Sequence, residues 1–430
     1  TFRIGRIRRT TVHPLEYRDT DYPTSRPPEF GVRNKLNGLY SNADVSWGDH
    51  IRYKGFVHTF NALVPPNIYF ASHPEYYSEI DGVRVGPEHT QLCLTNPDVV
   101  RVATEAVREW IRQSPEATII SVSQNDWQNY CQCPTCTALA AEEGSQAGPL
   151  LHFVNQIADA IATEYPDKII DTLAYQYTRK PPKHIRPHPN VAVRLCSIEC
   201  CFVHTLEDCP TNRSFVKDIE GWAKICKRLH VWDYVINYAH CIQPFPNFDV
   251  LKPNIRFFIE HGVTGIYEEA NYFSRGGEFA ELRTYILAKT LWDPSTSTTR
   301  TIREFTDAYY GAAAPFIREV ISAVHQAVGR NKNQHVRIYT PPHEYLDKPA
   351  LLARVDSLFD QAETIVAADE RLLHRVQLAR LPFIYTRLAL GTGRFRLRNE
   401  TLSSGPANDL EGLVERFETI AHREGITHVR

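Results

Sequence analysis

The chain has 430 residues, more than one compact domain usually holds, and its 43% apolar and 11% aromatic content supports a sizeable core. Charge is balanced, with 48 basic against 50 acidic side chains and a net charge of −2. That argues against a nucleic-acid binder, which carries a basic patch or stripe, and suits a neutral partner such as an oligosaccharide. No run of about 18 apolar residues occurs, so no membrane span is expected.

The opening residues TFRIGRIRRTTVHPLEYRD lack the apolar stretch of a signal peptide. Eight short runs then follow at intervals: 13–18, 36–40, 55–60, 117–126, 168–177, 190–199, 229–238 and 263–272. Between them lie segments with apolar residues at i, i+3 and i+4, such as DVVRVATEAVREWIRQ, PLLHFVNQIADAIATEYP, SFVKDIEGWAKICKRL and KPNIRFFIEHG. Strands alternating with helices predict a parallel α/β fold, and eight of them predict a (β/α)8 TIM barrel over residues 1–334. The connection from 60 to 116 is long enough to suggest a functional loop. Helical patterns at 349–390 and 409–424 predict a helical C-terminal region over 335–430.

In such barrels the chemistry sits where the strands end. The fourth run ends in Gln124–Asn125–Asp126–Trp127 and the eighth in Tyr267–Glu268–Glu269. Cleaving a glycosidic bond takes a proton donor and a second group that supplies or steadies a nucleophile. Asp126, Glu268 and Glu269 are therefore the candidate catalytic carboxylates. Glu268 and Glu269 are adjacent on a strand, so only one faces the mouth. Asn125, Arg18, His58, Tyr175, Trp232, Asn237 and Tyr238 are candidate substrate-binding residues, because amides and Arg bind hydroxyls and rings stack on sugar faces. Bland alternatives exist for several. Asp126 could cap a turn, Glu268 could pair with Arg18 or Arg283, and His58 could be a core histidine.

Ten cysteines are present, with Cys131, Cys133 and Cys136 in CQCPTC and Cys196, Cys200, Cys201 and Cys209 nearby in sequence. Disulfides, buried thiols or a metal site could account for them. The CxCxxC spacing offers three ligands where a structural zinc needs four, so no metal and no cofactor is expected.

Several motifs together resemble one bacterial family: SQNDWQNYCQCPTC, HPEYYSEIDG with QLCLTNPDV, SIECCFVH, WDYVINY with PFPN, and GVTGIYEEANYFSRGGEFAELRTYILAKTLWDP. The family is domain of unknown function 4838, classed as glycoside hydrolase family 163, and the likeness covers about 12–330. It implies an exported endo-β-N-acetylglucosaminidase that cuts the core of complex N-glycans by substrate assistance. The wider barrel group that includes β-hexosaminidases is similar over LTNPDVVRVATEAVREW and IISVSQND. There an Asp–Glu pair on strand four polarises the acetamido group and donates the proton; here the pair is Asn125–Asp126. Either Asp126 donates, or Glu268 or Glu269 donates while Asp126 orients the acetamido group. An exo-acting hexosaminidase, an α-glucuronidase-like enzyme and a non-catalytic glycan-binding barrel are the alternatives.

Overall fold

The computed structural model describes residues 12–391, 396–398, 401–403 and 410–429. The first eleven residues, and parts of the predicted helical tail between 392 and 409, lie outside the described residues. The strands are β1 (Tyr17–Thr20), β2 (Tyr53–Lys54), the hairpin β3 (Glu79–Ile80) and β4 (Val83–Arg84), β5 (Ile119–Ser121), β6 (Ile169–Ala174), β7 (Val191–Cys196), β8 (Leu229–Tyr234) and β9 (Val263–Glu269). Seven form one parallel sheet in the order β1-β9-β8-β7-β6-β5-β2. Helices cross between them, so the fold is α/β.

The sheet is an incomplete barrel, not a closed ring of eight strands. The expected second strand, 36–40, is instead an irregular segment ending in a 3-10 turn at Leu39–Ser41. Its sequence explains why. Asn37–Gly38 is turn chemistry, and a Cβ on Gly38 would lie 2.3 Å from the side chain of Asp19. The Asp19 carboxylate accepts the Tyr40 N–H at 3.1 Å, and the Tyr17 hydroxyl accepts that of Leu39 at 3.2 Å. These side chains take the amides that a ladder would have used. Asn37 spans the gap: its N–H donates to Arg18 O at 3.1 Å, joined there by Gly38 N at 3.2 Å, and its carbonyl accepts from Ile51 N at 2.8 Å.

The helices follow their apolar periodicity. Helix Pro97–Gln113 starts on Asn96, whose side chain accepts the Asp98 N–H, and buries Val99, Ala103, Val107 and Ile111. Helices Thr298–Tyr310 and Ala314–Ala327 follow the last sheet strand, and Pro349–Ile365, Glu370–Ala389 and Leu410–Glu424 lie in the C-terminal region. The stretch 336–340, predicted to begin that region, returns to the strand ends: Phe202 N donates to Val336 O at 2.9 Å and Tyr238 N to Ile338 O at 2.6 Å. No helix among the described residues is long and apolar enough to cross a membrane.

Candidate active site

The inner face of the sheet is polar at its centre. Arg194 on β7 pairs with Asp171 on β6 at 2.6 Å, and its guanidinium lies over the rings of Phe56, Trp232 and Tyr53 at 4.4, 5.0 and 5.2 Å. Above this layer, at the carboxyl ends of the strands, a pocket of about 170 Å³ opens. Asp126, Tyr175, Trp232, Tyr234 and Glu269 line it, with His58 and Tyr238 at its edge and Ile338 and Tyr339 on its outer wall.

Glu269 ends β9 with its side chain in the pocket. The Trp232 indole N–H donates to its carboxyl at 2.7 Å, and the Tyr238 hydroxyl lies between that carboxyl and the Ala270 carbonyl, 3.1 Å away. Burial, and then the charge of Asp21, pushes the Glu269 carboxyl up to about 8. The indole and phenol bonds pull the other way, and Asp126 adds to the rise. The carboxyl thus holds its proton to higher pH than an ordinary glutamate does.

Asp126 projects from the turn after β5 and is exposed. Its carboxylate accepts the Tyr175 hydroxyl at 3.0 Å. The turn is set by Asn125, which has no freedom of its own. Its N–H donates to Gln91 at 2.9 Å, its side-chain amide donates to Thr90 O and Asn61 at 2.8 Å each, and its side-chain oxygen accepts from Asn61 N at 3.2 Å. His58 holds a left-handed backbone (φ 56°) and its Nδ1 contacts Gln124 O at 2.8 Å.

The predicted residues thus divide. Asp126, Glu269, His58, Tyr175, Trp232 and Tyr238 meet at the pocket, and Asn125, Glu268, Arg18 and Asn237 do not line it. Glu268 points to the opposite face of the sheet, 1% exposed, and pairs with neither Arg18 nor Arg283. Burial, and then Asp233, holds its carboxyl well above the usual range. Arg18 also faces outward, donating to Lys35 O at 2.8 Å and covering Trp292. Asn237 is buried below the rim. Its amide donates to Thr340 O at 2.8 Å and its oxygen accepts from His240 N at 2.8 Å, so it holds the 336–340 stretch in place.

Three further residues stand at or beside the pocket, of which Tyr234 lies among the strand-end residues of the 229–238 run and the other two escaped the sequence pattern. Asp21 is fully buried, accepts the Tyr267 hydroxyl at 2.6 Å and the Ala270 N–H at 2.7 Å, and is pushed by burial up to about 7. The alternation Asp19–x–Asp21 after an apolar start is the signal that could have found it. Tyr339, 60% exposed, carries no periodic signal in the chain. Tyr234 stands two residues after Trp232, so it faces the same side of β8.

A model of the family described as "Domain of unknown function (DUF4838)" matches residues 1–322. The chain belongs to this family. This DUF4838 chain matches no curated protein. Among solved structures it is similar to a "GH138 enzyme targeting pectin rhamnogalacturonan II", at 9% identity and TM-score 0.38, covering 93% of this chain and 71% of that one. A beta-N-acetylhexosaminidase matches at 12% identity and TM-score 0.36, over 62% and 57%. CpGH89 from Clostridium perfringens, in complex with GlcNAc-alpha-1,4-galactose, matches at 8% identity and TM-score 0.43, over 76% and 34%.

Proposed function

We propose that this DUF4838 protein is a glycoside hydrolase that cleaves β-linked N-acetylglucosamine within glycans, with retention, by substrate assistance. The observation that carries this is the Glu269 carboxyl, bonded by the Trp232 indole and raised by burial, in the same aromatic pocket as the Asp126–Tyr175 pair. In the first step the Glu269 carboxyl gives its proton to the departing glycosidic oxygen. The acetamido oxygen of the substrate attacks the anomeric carbon, while Asp126, steadied by the Tyr175 hydroxyl, orients the acetamido N–H and balances the positive charge that develops. Water then opens the cyclic intermediate, and the Glu269 carboxylate takes the proton from that water.

Trp232, Tyr234 and Tyr339 supply ring faces for one sugar. A second cavity of about 620 Å³, sharing Ile198 and Tyr339 with the pocket, extends the site toward Gln176 and Glu344. Room beyond the cleavage point is what an endo-acting enzyme on a complex N-glycan needs. The test is incubation with a complex-type glycoprotein. The expected product is released glycan with one N-acetylglucosamine left on the protein and β configuration at the new reducing end. Cleavage of simple aryl β-N-acetylglucosaminides alone would move the assignment to an exo-hexosaminidase. A parent protein that never cleaves, yet binds glycan as tightly as its Asp126→Asn and Glu269→Gln variants, would make it a binding module.

A further inference from the structure

Two groups of metal-ligating side chains lie outside the pocket. In the first, Cys93, Cys131, Cys133 and Cys136 are all buried, with their sulfurs within 4.8 Å of one another. Cys93 is the fourth member that CQCPTC lacked: it stands 40 residues before Cys133, yet the two sulfurs are 3.7 Å apart. Cys93 to Cys136 is 4.0 Å. A tetrahedral ion with Zn–S bonds of about 2.3 Å sets its sulfurs about 3.8 Å apart. The surroundings favour thiolates. Glu79 N–H donates to Cys131 Sγ at 3.4 Å and the Arg84 guanidinium at 3.6 Å, while the Thr95 hydroxyl is 3.2 Å from Cys136 Sγ. Cys133 stands at the N-cap position and Cys136 in the first turn of helix Pro134–Glu143, where the helix dipole steadies negative charge.

The second group is Cys201, His204, Cys209 and His335, again within 4.8 Å of one another. Cys201 Sγ and Cys209 Sγ are 3.6 and 3.9 Å from His204 Nδ1, and Cys209 Sγ is 3.5 Å from His335 Nδ1. The other nitrogen of His204 contacts the Asn331 carbonyl at 3.2 Å. That bond fixes the tautomer whose Nδ1 is free to ligate, as second partners of metal-bound histidines do.

We propose that the protein holds two structural zinc ions, one in the Cys93/Cys131/Cys133/Cys136 cluster and one in the Cys201/His204/Cys209/His335 cluster. Each ion is bound by four protein groups, so neither keeps an open position for catalysis. Binding at the first displaces four thiol protons and leaves a net charge of −2, which Arg84 partly offsets. Binding at the second displaces two and leaves a neutral site. Both ions fasten the mouth of the pocket. Gln91, two residues before Cys93, donates to the carbonyls of Asn125 and Trp127 at 2.7 and 2.8 Å and so fixes the turn of Asp126. His335 stands just before the stretch that carries Ile338 and Tyr339.

The experiment is elemental analysis of the purified chain after equilibration with a slight excess of zinc over two equivalents and dialysis against metal-free buffer. About two zinc ions per chain are expected, with all ten thiols titrating after denaturation in a chelator. Cys133→Ser should lose one ion and His335→Ala the other, while Cys241→Ser, outside both clusters, should keep both. If a variant does not fold, the wild type still decides. An organomercurial should modify four thiols for the zinc released from the first site and two for that from the second, and cobalt substitution should give tetrahedral cobalt–thiolate absorption. Two zinc ions retained by Cys133→Ser overturn the first site, and two retained by His335→Ala overturn the second. A metal-free wild type, disulfides in place of thiols, or iron in place of zinc overturns the assignment.

Discussion

At the scale of single residues, the proposed reaction turns on Glu269. Glu269→Gln should lower kcat by roughly 100-fold or more, the loss typical of a missing general acid, with glycan binding kept. Activity that needs the protonated carboxyl must fall as pH rises through about 8. Trp232→Phe removes a hydrogen bond that favours the ionised form, so the alkaline limb of kcat/KM should move to higher pH. Asp21→Asn removes a charge that favours the neutral form, so the same limb should move lower. Limbs that stay fixed in both variants would show that Glu269 is not the group reporting. Asn125 makes the opposite case. With every polar atom of its side chain used by Asn61 and Thr90, Asn125→Ala should cost about 1–3 kcal/mol of stability, read by chemical denaturation. These contrasts were only half legible in the chain. Period-two alternation says that one glutamate of Glu268–Glu269 faces inward, but the phase is set by a Trp232 N–H from the neighbouring strand. Asn125 looked like a ligand because its spent hydrogen bonds reach residues 34 to 64 positions away.

At the scale of elements, the strand ends hold one wall of the pocket and the 336–340 stretch holds the other. Asn237→Ala removes one of two side-chain amides that hold the Thr340 carbonyl, the other being Gln243 at 3.1 Å, and loosens that second wall. KM should rise several-fold with a smaller change in kcat, because ring contacts are lost while Glu269 and Asp126 stay in place. Tyr339→Ala should raise KM in the same way with no change in thermal stability, since the ring is exposed; an unchanged KM would remove Tyr339 from the site. The parallel strands were legible as β-branched runs, and six of the eight overlap observed sheet strands directly: 13–18, 117–126, 168–177, 190–199, 229–238 and 263–272. The run at 55–60 was placed just after the short β2. The run at 36–40 misled because its apolar residues fit a strand while Asn37–Gly38 and the Asp19 carboxylate dictate a turn. The 336–340 wall was invisible, because a contact between positions about 100 residues apart leaves no local pattern.

At the scale of the whole molecule, buried acids give the fold a pH signature. Burial raises Asp19 and Asp21 to about 7, Asp233 to about 6 and Glu269 to about 8. Between the unfolded values near 4 and these folded ones, the native state binds more protons than the unfolded state. Stability is therefore greatest at the acid end of that window and declines as pH rises through it. Burial also acts on Glu16, but its bonds to His230 and Arg228 win and hold it at about 2. Its contribution is present above its unfolded value and is lost as pH falls toward 2. Calorimetry should thus find a Tm at pH 5 higher than at pH 8 by on the order of 5 °C, with Glu269→Gln flattening the slope. A Tm that rises over this range would contradict the burial of these carboxyls.

The wall made by Ile338 and Tyr339 also orders events in time. Synthesis runs from the amino end, and every sheet strand through Glu269 has left the ribosome before residue 339 exists. A growing chain, or one clipped just after β9, carries both carboxyls and half a pocket. The pocket is therefore completed last, when the tail comes back to the strand ends and closes it.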